Sequence, residues 1–199
     1  MATQPWFPTP MYFENAVGTE FINIQNELFN VYNQLKFLQI PNWGNDTHCL
    51  SENAFARNVL SEKNCTNFLG FLDRSLNTYL DELEFKYDRE YNIASSWFTL
   101  TKPGQYAHRH DHGGVDLSGV YYLQTNTESG NLYFQSPLRS LGTNLIYEIV
   151  NNDAEVAAQE GLLGVWPGLL EHGTYTNNSE LDRISISFNI QYTRNKKEK

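Results

Sequence analysis

Positive charge is scarce in this chain. Fourteen lysines and arginines stand against 23 aspartates and glutamates, a net charge of −9. A general binder of nucleic acid or anionic membrane carries a basic patch, so bulk nucleic acid is a disfavoured partner. The only basic run is Lys196, Lys197 and Lys199, in a short tail. Cysteine is scarce as well. Cys49 and Cys65 are the only two, and they form no Cys-x-x-Cys pair. Two cysteines do not make a disulfide framework, and a reducing cytosol suits them. Long apolar runs are missing: none approaches the ~20 residues that span a bilayer. The segment Met1 to Phe13 lacks the basic region and apolar core of a signal peptide. The expectation is a cytoplasmic protein with no membrane partner. Neither an internal repeat nor a low-complexity tract is present.

What the chain does have is aromatic residues, 14% of its 199 positions, with charged residues at 19%. That is the composition of a folded protein with a real core, and the length favours one domain. Residues 1–16 read as an extended arm, because Pro5, Pro8 and Pro10 forbid a regular helix. From Thr19, a reasonable N-cap, Phe21, Ile24, Leu28, Val31 and Leu35 recur at helical spacing, and Pro41 and Gly44 close that segment. Trp43 and His48 fall in a polar loop, where His48 reads as a surface or loop histidine. Ser51 is placed to cap a short helix through Leu60. Thr66 or Asn67 caps a second clear helix, whose stripe is Phe68, Leu72, Leu76, Tyr79 or Leu80, and Leu83.

At Tyr91 the period changes to two. Strands are expected at 91–101, 105–112, 117–124, 131–135, 144–150, 155–158, 162–166 and 183–193, with turn signals between them. Eight short strands suggest a sandwich or jelly roll. The predicted fold class is mainly β (α+β), with the helices of residues 1–90 supporting one face of a β body at 91–193. Residues 194–199 form the basic tail.

The stretch from Gln105 to Leu123 concentrates the chemistry. It holds His108, His110 and His112, three of the five histidines, at alternate positions. Residues two apart on a strand point to the same face, and neutral imidazole is the commonest metal ligand. The same spacing also suits an idle, exposed strand edge. Downstream, an apolar strand breaks at Pro167 and delivers His172 in a turn. Arg183 then heads a strand with two unlike faces. Ile184, Ile186, Phe188 and Ile190 can pack under the helices. Arg183, Ser185, Ser187 and Asn189 must meet water or line a polar cavity. A histidine that can close a metal triad and an arginine that can hold a carboxylate then come near one another.

These residues carry a resemblance. The chain resembles the 2-oxoglutarate and Fe(II)-dependent oxygenases, in particular a branch found in phages and marine bacteria. The matching pieces are Phe7-Pro8-Thr9-Pro10, Ser96-Trp97-Phe98, His110-x-His112, Ser118 to Leu123, Ser129-Gly130-Asn131-Leu132, Trp166-Pro167, His172 and Arg183 to Asn189. They cover about 91–193 firmly and the helices weakly. The resemblance implies a double-stranded β-helix that binds Fe(II) and takes 2-oxoglutarate as co-substrate. Its metal triad is normally His-x-Asp/Glu followed by a distal His. By position His110 and His172 are metal ligands, and His112 fills the carboxylate slot. Either the triad is all-histidine or Asp111 or Asp116 swings in, and His108-x-His110 is a third register. Arg183, with Ser185 beside it and Tyr122, would hold the distal carboxylate of 2-oxoglutarate. No catalytic residue beyond the metal ligands is implied. The activity implied is a dioxygenase, a hydroxylase of a small-molecule or peptidyl substrate, that couples oxidation to decarboxylation of 2-oxoglutarate to succinate. The rivals are a cupin-like three-histidine metalloenzyme and a non-catalytic jelly-roll binding protein.

Overall fold

The strand that heads with Arg183 organises the molecule. In the computed structural model, which describes residues 8–41, 43–138 and 153–193, this strand is β11 (Arg183–Tyr192). It pairs antiparallel with β4 (Tyr91–Thr101) on one side and β6 (Leu117–Gln124) on the other. The sheet grows outward from this centre. On the β6 side lie β9 (Leu162–Pro167) and then β1 (Tyr12–Asn15). On the β4 side lie β3 (Cys49–Ser51) and β2 (Phe37–Gln39). A smaller antiparallel sheet runs β5 (Ala107–His110), β10 (His172–Thr174), β7 (Leu132–Phe134) and β8 (Ala154–Val156).

Alternation along β11 divides the protein into layers. Ile184, Ile186, Phe188 and Ile190 point to one side of the large sheet and are buried there. They share a core with Ile24, Leu28 and Val31 of α1 (Gly18–Tyr32), and with Phe68, Phe71, Leu72, Leu76 and Leu80 of α3 (Thr66–Glu82). Phe68 packs edge-on against both Tyr121 and Phe188. The other side of the sheet faces the small one. There Val120, Tyr122, Leu132, Phe134, Leu162 and Trp166 form a second core. The helix-facing side of β11 is apolar because it meets helices. Its other side is polar because it lines the space between the sheets.

Several local expectations change. Helix α1 starts at Gly18 behind Val17, so Thr19 lies inside it and caps nothing. It ends at Tyr32, well before Pro41, because residues 37–39 leave to pair with β3 while Phe37 packs on Tyr32. Ser51 belongs to β3, where its Oγ accepts from the Phe98 amide at 3.2 Å. The short helix α2 (Val59–Glu62) is capped by the Asn58 side chain instead. Neither Thr66 nor Asn67 caps α3, whose N-cap is Cys65. The Glu27 carboxylate of α1 accepts from the Asn67 and Phe68 amides at 3.0 and 2.9 Å, a negative charge at a helix N-terminus. Leu83 lies past the end of α3 and is 40% exposed. The strand expected at 105–112 is shorter, and His112 falls beyond its end. His172 opens β10 and is not in a turn. The strand expected at 144–150, the tail at 194–199 and residues 1–7 of the arm lie outside the described residues. Among the described residues no helix is long and apolar enough to cross a membrane.

Candidate metal centre

Strand pairing brings the distant histidines together. His172 at the head of β10 lies opposite His110 at the end of β5. His112, two residues on, is fixed where its amide donates to the Gly168 carbonyl at 2.8 Å. The ring centroids are then 4.6–5.1 Å apart. One ligand atom from each of His110, His112 and His172 lies within 4.8 Å of the others.

The rings are also aimed. Nδ1 of His110 meets the His108 carbonyl at 2.7 Å, and Nδ1 of His172 meets the Leu170 carbonyl at 2.8 Å. A carbonyl only accepts, so both Nδ1 atoms carry the proton and both Nε2 atoms keep a free lone pair. Nδ1 of His112 meets Asn189 Oδ1 at 2.7 Å. That oxygen also accepts from Ser118 Oγ at 2.8 Å, while Asn189 Nδ2 donates to Ser95 Oγ at 3.1 Å. Such partners fix the tautomer and orientation of a metal ligand. Burial favours the neutral rings. It depresses the pKa of His110, takes that of His112 down to about 4, and pushes His172 well below its ordinary value. Neutral imidazole is the form that binds metal.

The other candidates fall elsewhere. His108 Nε2 bonds to the Trp43 carbonyl at 2.9 Å, away from the cluster. Asp111 lies at the cavity edge, and its Oδ1 accepts from the Gly113 amide at 2.8 Å, a turn contact. Asp116 is tied to the end of β11, accepting from the Tyr192 amide at 2.8 Å and from the Gln191 side chain. The structure brings neither carboxylate into the three-histidine group.

The same cavity, about 460 Å³, holds an unmatched cation. Arg183 is 2% exposed. Its Nη1 donates to the Ser129 and Gly130 carbonyls, both at 2.6 Å, and its Nη2 to Thr174 Oγ1 at 2.6 Å and Thr101 Oγ1 at 3.3 Å. No carboxylate pairs with it among the described residues. Burial lowers its pKa, but guanidinium stays charged in proteins. A buried charge without a counter-ion is costly, so the site suits an anion. Tyr122 lines the same space with its hydroxyl buried and unpartnered, and Ser185 stands opposite it across the β6–β11 pair. Gly130 makes this corner possible. Its φ is +83°, and a Cβ there would sit 2.1 Å from the Tyr175 carbonyl oxygen, so only glycine lets its carbonyl reach Arg183.

Sequence reasoning missed several members. His48, expected as a surface or loop histidine, does lie in a loop, but it is 5% exposed and lines the cavity. Trp97 stacks on His112, with centroids 5.8 Å apart and planes 16° apart. Trp166 meets His172 edge-on at 4.8 Å, and its buried indole N–H has no partner. Trp97 and Trp166 lie in the segments Ser96-Trp97-Phe98 and Trp166-Pro167, which carry the available signal. For His48 local sequence held none.

The donor set and the unmatched guanidinium fit a divalent metal beside a carboxylate ligand. A sequence profile of the family described as "Putative 2OG-Fe(II) oxygenase" matches residues 95–189. No curated protein sequence matches the chain. Many solved structures share its fold. A 2OG-Fe(II) oxygenase family oxidoreductase from Burkholderia pseudomallei aligns over 86% of this chain and 79% of its own, at 13% identity and TM-score 0.62. A prolyl-4-hydroxylase from Pseudomonas putida covers 92% and 94%, at 12% identity and TM-score 0.61. HygX from Streptomyces hygroscopicus, solved with nickel and 2-oxoglutarate, covers 93% and 84%, at 13% identity and TM-score 0.64. At such identities the likeness is one of fold, the double-stranded β-helix.

Proposed function

We infer, from a chain whose residues 95–189 match the profile of the 2OG-Fe(II) oxygenases, that its cavity is the active site of an Fe(II)- and 2-oxoglutarate-dependent dioxygenase acting as a hydroxylase. One observation carries the reading. Three aimed, neutral imidazoles and one buried, unpaired guanidinium open onto a single cavity.

The roles follow from position. His110, His112 and His172 hold the metal through Nε2. Arg183 takes the distal carboxylate of 2-oxoglutarate, with Tyr122 donating from its unpartnered hydroxyl and Ser185 beside it. The Thr101 and Thr174 hydroxyls accept from Arg183 now, but a hydroxyl can turn and donate to a carboxylate. Iron with bound 2-oxoglutarate supplies the oxidising chemistry, while the protein orients and excludes water. Val120, Leu132 and Trp166 make an apolar wall on one side of the site. Arg183 binds away from the reacting carbon, so its energy serves positioning.

The all-histidine set leaves a ferrous ion with its full positive charge, where a carboxylate ligand would cancel part of it. A three-histidine dioxygenase that uses no keto acid shares that feature, but it has no use for Arg183. One anaerobic experiment separates the two. Adding Fe(II) and 2-oxoglutarate to the chain is expected to raise a weak visible charge-transfer band, and oxygen then to yield succinate. His172→Ala should lose the band. Iron binding with neither band nor succinate would leave the rival standing.

A further inference from the structure

The matched span, 95–189, supplies the histidines and Arg183. Across the cavity stands a wall that comes largely from outside that span. Trp43, His48 and Phe55 all line the cavity, and Trp97 continues them to the metal centre. The rings form an unbroken series. Trp43 lies 5.5 Å from His48 and 6.4 Å from Phe55; Phe55 lies 5.7 Å from Trp97; Trp97 stacks on His112. Phe55 is 61% exposed at the mouth. A lone exposed aromatic is ordinary. One that continues an aromatic wall down to a candidate metal centre is an apolar surface awaiting a partner.

His48 adds one polar feature to that wall. Its amide donates to the Tyr106 carbonyl at 3.1 Å, and its Nδ1 meets the same oxygen at 3.2 Å. The carbonyl accepts, so Nδ1 bears the proton and Nε2 is an acceptor with no protein partner among the described residues. Burial holds the ring neutral, with a pKa of about 4.

We propose that residues 43–55 with Trp97 form the substrate-recognition wall, and that the group they recognise is an uncharged planar aromatic or heteroaromatic ring carrying an N–H or O–H donor for His48. The ring faces offer stacking and edge contacts worth more than their area alone. Nε2 of His48 takes the donor. Cationic groups also favour aromatic faces, but the charge balance opposes one here. With three neutral imidazoles, ferrous iron and dianionic 2-oxoglutarate cancel, and Arg183 leaves one net positive charge in the cavity. Asp111 is exposed and screened. The proposal rests on the dioxygenase reading for this charge balance, and on the wall alone for the ring.

The test is calorimetry on the full chain loaded with Ni(II) and 2-oxoglutarate under argon. Four probes are titrated: indole, 1-methylindole, cyclohexanol and tetramethylammonium. Indole is expected to bind, with 1-methylindole about fivefold weaker for one lost hydrogen bond. Cyclohexanol and tetramethylammonium should bind far more weakly than either. Trp43→Ala and Phe55→Ala, both at the accessible mouth, should each weaken indole about tenfold while leaving 2-oxoglutarate affinity unchanged. His48→Phe should erase the difference between the two indoles. Tetramethylammonium or cyclohexanol matching indole, indole unaffected by both alanine variants, or no indole binding at millimolar concentration overturns the proposal. If 2-oxoglutarate fails to bind while indole binds with this pattern, the dioxygenase reading falls and the wall stands. The reverse result removes the wall alone.

Discussion

The two sides of the large sheet answer to different physics. Toward the helices, Ile184, Ile186, Phe188 and Ile190 sit in a core where what matters is volume. Toward the cavity, Arg183, Ser185, Ser187 and Asn189 line a space where what matters is charge and hydrogen bonding. The residues alternate along one strand, two positions apart on each face. The contrast predicts that damage to one side should read out as lost stability, and damage to the other as lost binding.

The largest effect belongs to the helix side. Phe188 is fully buried, packs on Phe68, and lies against Gly119, where an added Cβ would meet its ring at 2.4 Å. Gly119 has no side chain with which to fill the void. Phe188→Ala is expected to cost about 3–5 kcal/mol, read as a lower denaturation midpoint with an unchanged slope. The fraction that stays folded should bind Ni(II) as before. A variant that kept its midpoint but lost metal would erase the distinction between the sides.

Acid is the one perturbation expected to cost stability through the cavity side. His48, His110, His112 and His172 all line the cavity, and burial lowers the pKa of each. Above pH 6.5 these rings are neutral whether the chain is folded or not, so they cost nothing. Below it the unfolded chain takes up protons that the folded cavity refuses, and stability falls until the folded pKa is reached. For His48 that window runs from 6.5 to about 4 and is worth on the order of 3 kcal/mol. A metal-free urea series from pH 7 to 4 should show this loss, and His48→Phe should flatten part of it. A slope unchanged in that variant would mean His48 titrates freely.

This division also explains what could be read in advance. The two-faced pattern of β11 was legible because alternation is a local property, and so were the stripes of α1 and α3. The positions of His110, His112 and His172 were legible as motif pieces. Their convergence depends on β10 pairing with β5, a long-range register. His48 was misread for the same reason. Its polar loop looks exposed along the chain, yet Tyr106, just ahead of β5, pins it into the cavity. The expected cap of α3 fails because Glu27 reaches across from α1, which leaves no local signature; that of α2 fails because the helix starts at Val59 behind its own cap Asn58, and Ser51 is in β3.

Arg183 gives a smaller, purely ligand-linked effect. On the proposed role, 2-oxoglutarate supplies the missing counter-charge in the metal-loaded protein, so at about 100 times its Kd it should stabilise the fold by about 2.7 kcal/mol. Arg183→Met should abolish that increment while the increment from Ni(II) alone survives. The substitution removes a costly unpaired cation, but it strands the Ser129 and Gly130 carbonyls, at about 1–3 kcal/mol each. The apo variant should therefore be no more stable than the wild type. A gain would mean those carbonyls find water.

The finest test of the contrast is Asn189, beside Phe188 on the same strand but turned to the other face. Its carboxamide oxygen accepts from His112 and Ser118, and its nitrogen reaches Ser95. It is no metal ligand, so its contribution is to hold the His112 ring with Nε2 toward His110 and His172. Asn189→Ala should lower Ni(II) affinity about 10–100-fold, with the fold retained. Asn189→Asp separates aim from charge. A carboxylate still accepts from Nδ1 and would restore the aim, and it would make His112 the more basic ligand. Metal affinity near or above the wild type is therefore expected, with the band of the Fe(II)–2-oxoglutarate complex shifted. If alanine leaves affinity unchanged, stacking on Trp97 alone orients His112, and the polar face of β11 contributes Arg183 and little else.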